Sequence, residues 1–126
     1  MKKTPDPLVC RTTVPIYQVR LILGVAKAPA DLRKRLPPGF REDTSDEWAD
    51  MEGSCALQET VGVILFKKAA LAHDVIAHEV FHMTHRIMER AGEVFSPEHH
   101  EPSAYLHGWI ARWVYAQLRK AGLRVR

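Results

Sequence analysis

Cysteine is scarce in this chain, and its placement is poor for most cysteine chemistry. Among 126 residues there are only two, Cys10 and Cys55, too few for a disulfide framework and without the C-x-x-C spacing of a thiolate zinc knuckle. A reducing compartment, the cytoplasm, is the expectation. Long apolar runs are missing as well. No stretch approaches the roughly 20 residues of a membrane span. After Met1-Lys2-Lys3, the residues Pro5, Pro7, Arg11 and Pro15 interrupt what would have to be the apolar core of a signal segment. Charge of one sign is also in short supply. The formal net charge is +3 and the basic residues are scattered, which argues against a dedicated nucleic-acid surface. Internal repeats and low-complexity tracts are absent. What remains, 46% apolar and 26% charged residues, is the composition of an ordinary globular domain, and the length suits one domain over 1–126 with a core of its own.

Taken along the chain, residues 1–13 are dotted with proline and read as an extended arm. Period two begins at residue 14: Tyr17, Val19, Leu21, Leu23 and Val25 face one way while Gln18 and Arg20 face the other. The spacing predicts a strand over 14–25 with one wet face, and Gly24 marks a bulge or its end. Pro29 and Asp31 offer start chemistry for a short helical segment at 32–36, ended by Pro37-Pro38-Gly39. Residues 41–47 form an acidic, turn-rich loop. A second, half-buried strand follows, with Met51, Gly53, Cys55 and Leu57 alternating against Glu52, Ser54 and Gln58. The continuous apolar run 61–66 reads as a strand covered on both faces, paired antiparallel with its predecessor across a short turn.

A helix is predicted over 72–91, which holds neither proline nor glycine until Gly92 stops it. Ile76, Val80, Met83 and Ile87 form one apolar stripe and Ala77, Phe81 and Met88 a second, so most of the helix calls for burial apart from one narrow His-rich face. Asp74 is placed to cap its start. A last helix is expected over 101–121, with Pro102 tolerated in its first turn and Leu106, Trp109, Ile110, Trp113 and Val114 on its apolar side.

Chemistry concentrates in His78-Glu79-Val80-Phe81-His82, an H-E-x-x-H pattern. Four residues apart on a helix means about 40° around the axis and about 6 Å along it, so both imidazoles can aim at one point. Zn²⁺ takes imidazole nitrogens at about 2.0–2.1 Å, and two histidines on one turn supply half of its tetrahedral shell. Glu79, rotated about 100° from His78, falls beside the open position, where a carboxylate can take a proton from a zinc-activated water. The competing reading is a pair of satisfied structural histidines. A third ligand has to come from His85, His99, His100, His107 or Glu101. His85 lies about 10 Å along the axis from His78, too far for a straight helix. Glu101 opens the second helix, which a helical hairpin would bring back alongside His78 and His82.

The set His78-Glu79-x-x-His82 followed by Glu101-x-x-x-Tyr105 resembles the gluzincin metallopeptidases. The string Asp74-Val75-Ile76-Ala77-His78-Glu79 is similar to the thermolysin-type helix, and Glu101-Pro102-Ser103-Ala104-Tyr105-Leu106 is similar to small zincin-like proteins of tailed phages and prophages. This resemblance covers residues 61–115. It implies His78, His82 and Glu101 as zinc ligands and Glu79 as general base and proton shuttle. It also implies a sheet beside the active helix whose edge strand holds an extended substrate, a role for which 61–66 is in the right chain order. Two departures stand out: Tyr105 occupies the place of an aspartate that orients a histidine in thermolysin-like enzymes, and the chain ends soon after the last helix, where those enzymes carry a further subdomain. Tyr105 either donates to a ligand or a developing oxyanion, or simply packs its ring.

The expectation is therefore an α+β, zincin-like domain: a small twisted, mainly antiparallel sheet on an H-E-x-x-H helix, with a second C-terminal helix. It would be a zinc-dependent hydrolase of peptide or protein substrates, with no membrane partner. One alternative is a zinc-holding structural or interaction module with little activity. Another is a nucleic-acid or partner-binding protein that uses the basic end at 119–126.

Overall fold

A computed structural model describes residues 5–40, 52–94 and 96–126. Short runs, too brief for helices and in the second and fourth cases rich in Val, Ile and Leu, supply four strands: β1 (Leu8–Thr13), β2 (Arg20–Ala26), β3 (Gly53–Gln58) and β4 (Val61–Lys67). Two helices follow, α1 (His73–Arg90) and α2 (Glu101–Lys120). The strands form one sheet in the order β1-β2-β4-β3. Its two outer pairings are antiparallel and the central one, β2 with β4, is parallel. The class is α+β as expected, but the sheet is mixed: the long connection after β2 returns the chain to run alongside it, whereas the Glu59–Thr60 turn folds β3 directly back on β4.

Four strand expectations need correction. Residues 8–13 are not an arm but the edge strand β1, with Leu8 opposite Val25 and Thr13 opposite Arg20. The stretch 14–19 is not strand: Val14 N–H donates to the Val19 carbonyl at 2.7 Å, and Ile16 and Gln18 take positive φ values of 69° and 53°, a tight loop that tucks Val14 and Val19 into the core. Gly24 is neither bulge nor end, since the register runs through it unbroken to Val9 and Leu65. The face of β2 expected to be wet is covered too. Ile22 and Ala26 pack with Val63 and Leu65 against Leu32, Leu36 and Phe40, which the short 3₁₀ helix Pro29–Arg35 and the turn after it lay across the sheet. The acidic loop 41–47 lies outside the described residues.

The other sheet face carries the main core. Leu21, Leu23, Val25, Ile64 and Phe66 meet Ile76, Val80, Met83 and Ile87 of α1 and Leu106, Ile110, Val114 and Leu118 of α2. Each such side chain contributes about 1.5–3 kcal/mol by leaving water. Burial of α1 is narrower than its two apolar stripes predict. The first stripe is buried and so is Met88, but Ala77 is exposed and Phe81 is 58% exposed, because the sheet and α2 cover adjoining sides of the helix and leave the third open.

The start of α1 is held without a side-chain cap. Ala72 is the N-cap residue and Asp74 sits in the first turn, where its charge suits the helix dipole. The expected cap by Asp74 is replaced by the end of the chain: His73 N–H donates to the Arg126 carbonyl at 3.0 Å and Arg126 N–H to the Leu71 carbonyl at 3.1 Å. On α2, Tyr115 OH lies 2.7 Å from His73 Nδ1, which clasps the two helices together at that end. No helix among the described residues is long and apolar enough to cross a membrane.

Candidate metal centre

His78 and His82 share the open side of α1. Their rings meet edge to face, with centroids 4.6 Å apart and planes at 72°, and their Nε2 atoms are 3.1 Å apart. Two imidazole nitrogens bound to one tetrahedral zinc at about 2.0–2.1 Å would stand about 3.3 Å from each other. The pair is therefore spaced as two ligands of one ion. Without a metal, one ring donates its Nε2–H to the other. The His-rich face is not a seam in a buried helix, as the apolar stripes suggested: the His78 side chain is 66% exposed and His82 is exposed.

Glu79 differs sharply from its neighbours. One residue on and about 100° around the helix, it turns towards the sheet, and its side chain is only 8% exposed, with Oε1 3.7 Å from His78 Nε2. Burial pushes its carboxyl above the usual glutamate range, while the charges of His78, His82 and Arg86 pull it part of the way back. Among the described residues it makes no hydrogen bond or ion pair other than that contact. A buried carboxyl with one long polar contact is a costly arrangement for structure alone.

The backing of Glu79 comes from the first residue of β3. A Cβ on Gly53 would stand 3.0 Å from Glu79 Cγ, 3.1 Å from Phe66 Cδ1 and 3.3 Å from the Leu65 carbonyl oxygen. Glycine lets the strand pass this close without displacing its neighbours, and a glycine inside a strand pattern is a signal of such an approach. The edge of the sheet beside the site is consequently β3. Residues 61–66, suggested for that role by chain order, pair on both sides with β2 and β3, which leaves them no free backbone groups for a substrate.

The remaining candidates are more dispersed. Glu101 opens α2 and is exposed. The hairpin sets the first turns of α2 beside the last turns of α1, where His100, Ser103 and Ala104 share a groove with Thr84, Met88 and Glu89, so Glu101 begins beyond His82 rather than level with it. Tyr105 is 76% exposed and makes no polar contact among the described residues. His85 Nε2 lies 3.8 Å from Glu89 Oε2. His99 and His100 are exposed and His107 is half-buried. The structure thus brings His78, Glu79 and His82 together and leaves Glu101 and Tyr105 apart. Among the described residues no three His, Cys, Asp or Glu side chains converge as a complete metal-holding group. At Cys10 burial pushes the thiol up, against the opposing pull of Arg11 and Lys120, which disfavours the thiolate.

No family model, curated protein or solved structure matches the chain. The chemistry of the site therefore has to be read from its geometry, in which Gly53 and the groove beyond His82 are the two features that residue spacing did not reveal.

Proposed function

We propose that the chain is a zinc-dependent metallopeptidase of zincin-like architecture, working in the cytoplasm. The observation that carries this reading is the 3.1 Å spacing of His78 Nε2 and His82 Nε2 beside the buried carboxyl of Glu79, whose Oε1 is 3.7 Å from the first ring. Zinc held there supplies a water made acidic near neutral pH and a polarised substrate carbonyl. His78 and His82 are two of its ligands. Glu101, exposed and without a competing contact among the described residues, is the third, and because it begins beyond His82 it would join the shell only if the start of α2 moved towards the pair.

Glu79 takes the proton of the attacking water and delivers it to the leaving amine. Burial raises the proton affinity of its carboxylate, which suits the uptake of that proton. β3, an outer strand of the sheet among the described residues and backed onto Glu79 through Gly53, is the strand beside which an extended substrate would run. A closed structural zinc site is the second reading, but the open face of the histidine pair, with His78 66% exposed, favours a centre that admits substrate.

The test is metal analysis of the purified chain together with digestion of an unfolded protein substrate. About one zinc per chain is expected, with cleavage that a chelator abolishes and added zinc restores. Zinc-free protein that cannot be loaded, or the absence of chelator-sensitive cleavage, would refute the proposal.

A further inference from the structure

Beyond His82 the helix hairpin encloses a groove of about 1020 Å³ between α1 and α2. It begins at His82 itself and follows α1 to Gly92, a distance of about 15 Å at 1.5 Å per residue. Its base includes the buried Met88 and Thr84, and the Thr84 hydroxyl already donates to the Val80 carbonyl at 2.8 Å, so it offers no free donor. Phe81 at one end and Val94 at the other are 58% and 73% exposed, large apolar side chains left to water along the same depression. No such pair is needed for the core, which closes on the opposite side of α1.

The groove has a polarity along its length. Its far end carries the exposed carboxylates Glu89 and Glu93, and among the described residues that line it there is no Lys or Arg. Glu89 has one partner, the His85 imidazole at 3.8 Å. In a chain of net charge +3, this is a locally acidic end to an apolar channel that starts at the reactive histidine pair.

We infer that this groove holds one side of a polypeptide substrate: an extended segment of about four or five residues at about 3.3 Å each. A bulky apolar side chain lies next to His82 and a Lys or Arg side chain meets Glu89 and Glu93. The inference rests on the hydrolase reading only for which bond is cut. The affinity of the groove for such a segment is independent of turnover. Length favours a chain over a small molecule, and continuity with His82 favours a substrate over an unrelated partner.

The experiment uses the full chain carrying Glu79→Gln, so that bound peptide survives, with zinc added, and follows backbone amide resonances during titration. The probes are acetyl-Gly-Gly-Phe-Ala-Ala-Lys-Gly-amide and two relatives, one with the phenylalanine replaced by alanine and one with the lysine replaced by glutamate. The first peptide should shift the amides of Thr84, Met88, Ser103 and Ala104. Loss of the phenylalanine should weaken binding about tenfold or more, as expected for removal of a buried aromatic ring, and the charge reversal several-fold. Ala104→Trp, which fills the groove from the exposed side of α2, should abolish these shifts while the circular dichroism spectrum stays unchanged. Shifts confined to residues 53–58, equal affinity for all three peptides, or undiminished binding to Ala104→Trp would overturn the inference. Groove binding by a chain that never cleaves any peptide would refute the hydrolase reading alone.

Discussion

Gly53 and Glu79 are packed closely: a Cβ on Gly53 would lie 3.0 Å from Glu79 Cγ and 3.3 Å from the Leu65 carbonyl oxygen, so a side chain there would push its neighbours aside. The glycine is what allows an edge strand and a buried carboxyl to share one layer of the molecule. Gly53→Ala should therefore destabilise the chain by about 1–3 kcal/mol, the usual cost of overpacking, in urea unfolding. Glu79→Ala in the same chain should relieve part of that cost, and the coupling is what a double-mutant cycle reads. Strict additivity of the two substitutions would mean that the contact does not constrain Glu79.

Protonation of Glu79 gives the metal-free protein a pH signature. Burial raises its folded pKa above the ordinary glutamate value, the imidazoles and Arg86 opposing. Between the unfolded and folded pKa the folded state binds more protons than the unfolded one. Stability is thus highest below the unfolded pKa and falls as pH rises through the folded one, before levelling off. Unfolding followed in chelator from about pH 4 upwards should show this decline in the wild type, and Glu79→Gln should flatten it. An identical slope in both chains would contradict the buried-acid description.

Zinc binding should depend on its ligands unequally. His78→Ala or His82→Ala should cost more than the roughly 10–100-fold typical of losing a supporting residue, and Glu101→Ala should also weaken binding greatly. His85→Ala should leave it nearly unchanged, since His85 is directed to Glu89 at 3.8 Å. Competition titration against a chromogenic chelator measures all four. Unaltered affinity in Glu101→Ala would remove that residue from the shell.

Much of this architecture is legible in residue order, and the exceptions have physical causes. The apolar stripe Ile76, Val80, Met83, Ile87 predicts the buried side of α1 because 3.6-residue periodicity is local. The run 61–66 predicts a strand covered on both faces because a short unbroken apolar run leaves neither face for water. Strand β1 escapes notice because Pro5 and Pro7 precede it and its partner is distant in sequence: Leu8 gains its place only through Val25. The loop at 14–19 hides behind an alternation of Tyr17, Val19 and Leu21 that two positive φ angles break. In the site, the His78–His82 spacing is set by one helical turn and can be read directly. The burial of Glu79 cannot, because it depends on Gly53 arriving from the sheet. The place of Glu101 depends on hairpin register, a tertiary quantity that chain spacing leaves open.

The most direct test of the account is the effect of Glu79→Gln on zinc-loaded protein. The substitution keeps the shape of the side chain and leaves both imidazoles in place, so zinc content and folding should match the wild type while the basic carboxylate is lost. Turnover of a peptide that the wild type cleaves should fall by a factor on the order of 10²–10⁴, the contribution of a positioned acid–base group. Undiminished turnover at full zinc occupancy would contradict the assignment of Glu79 as the proton-transferring residue, and with it the proposed reaction.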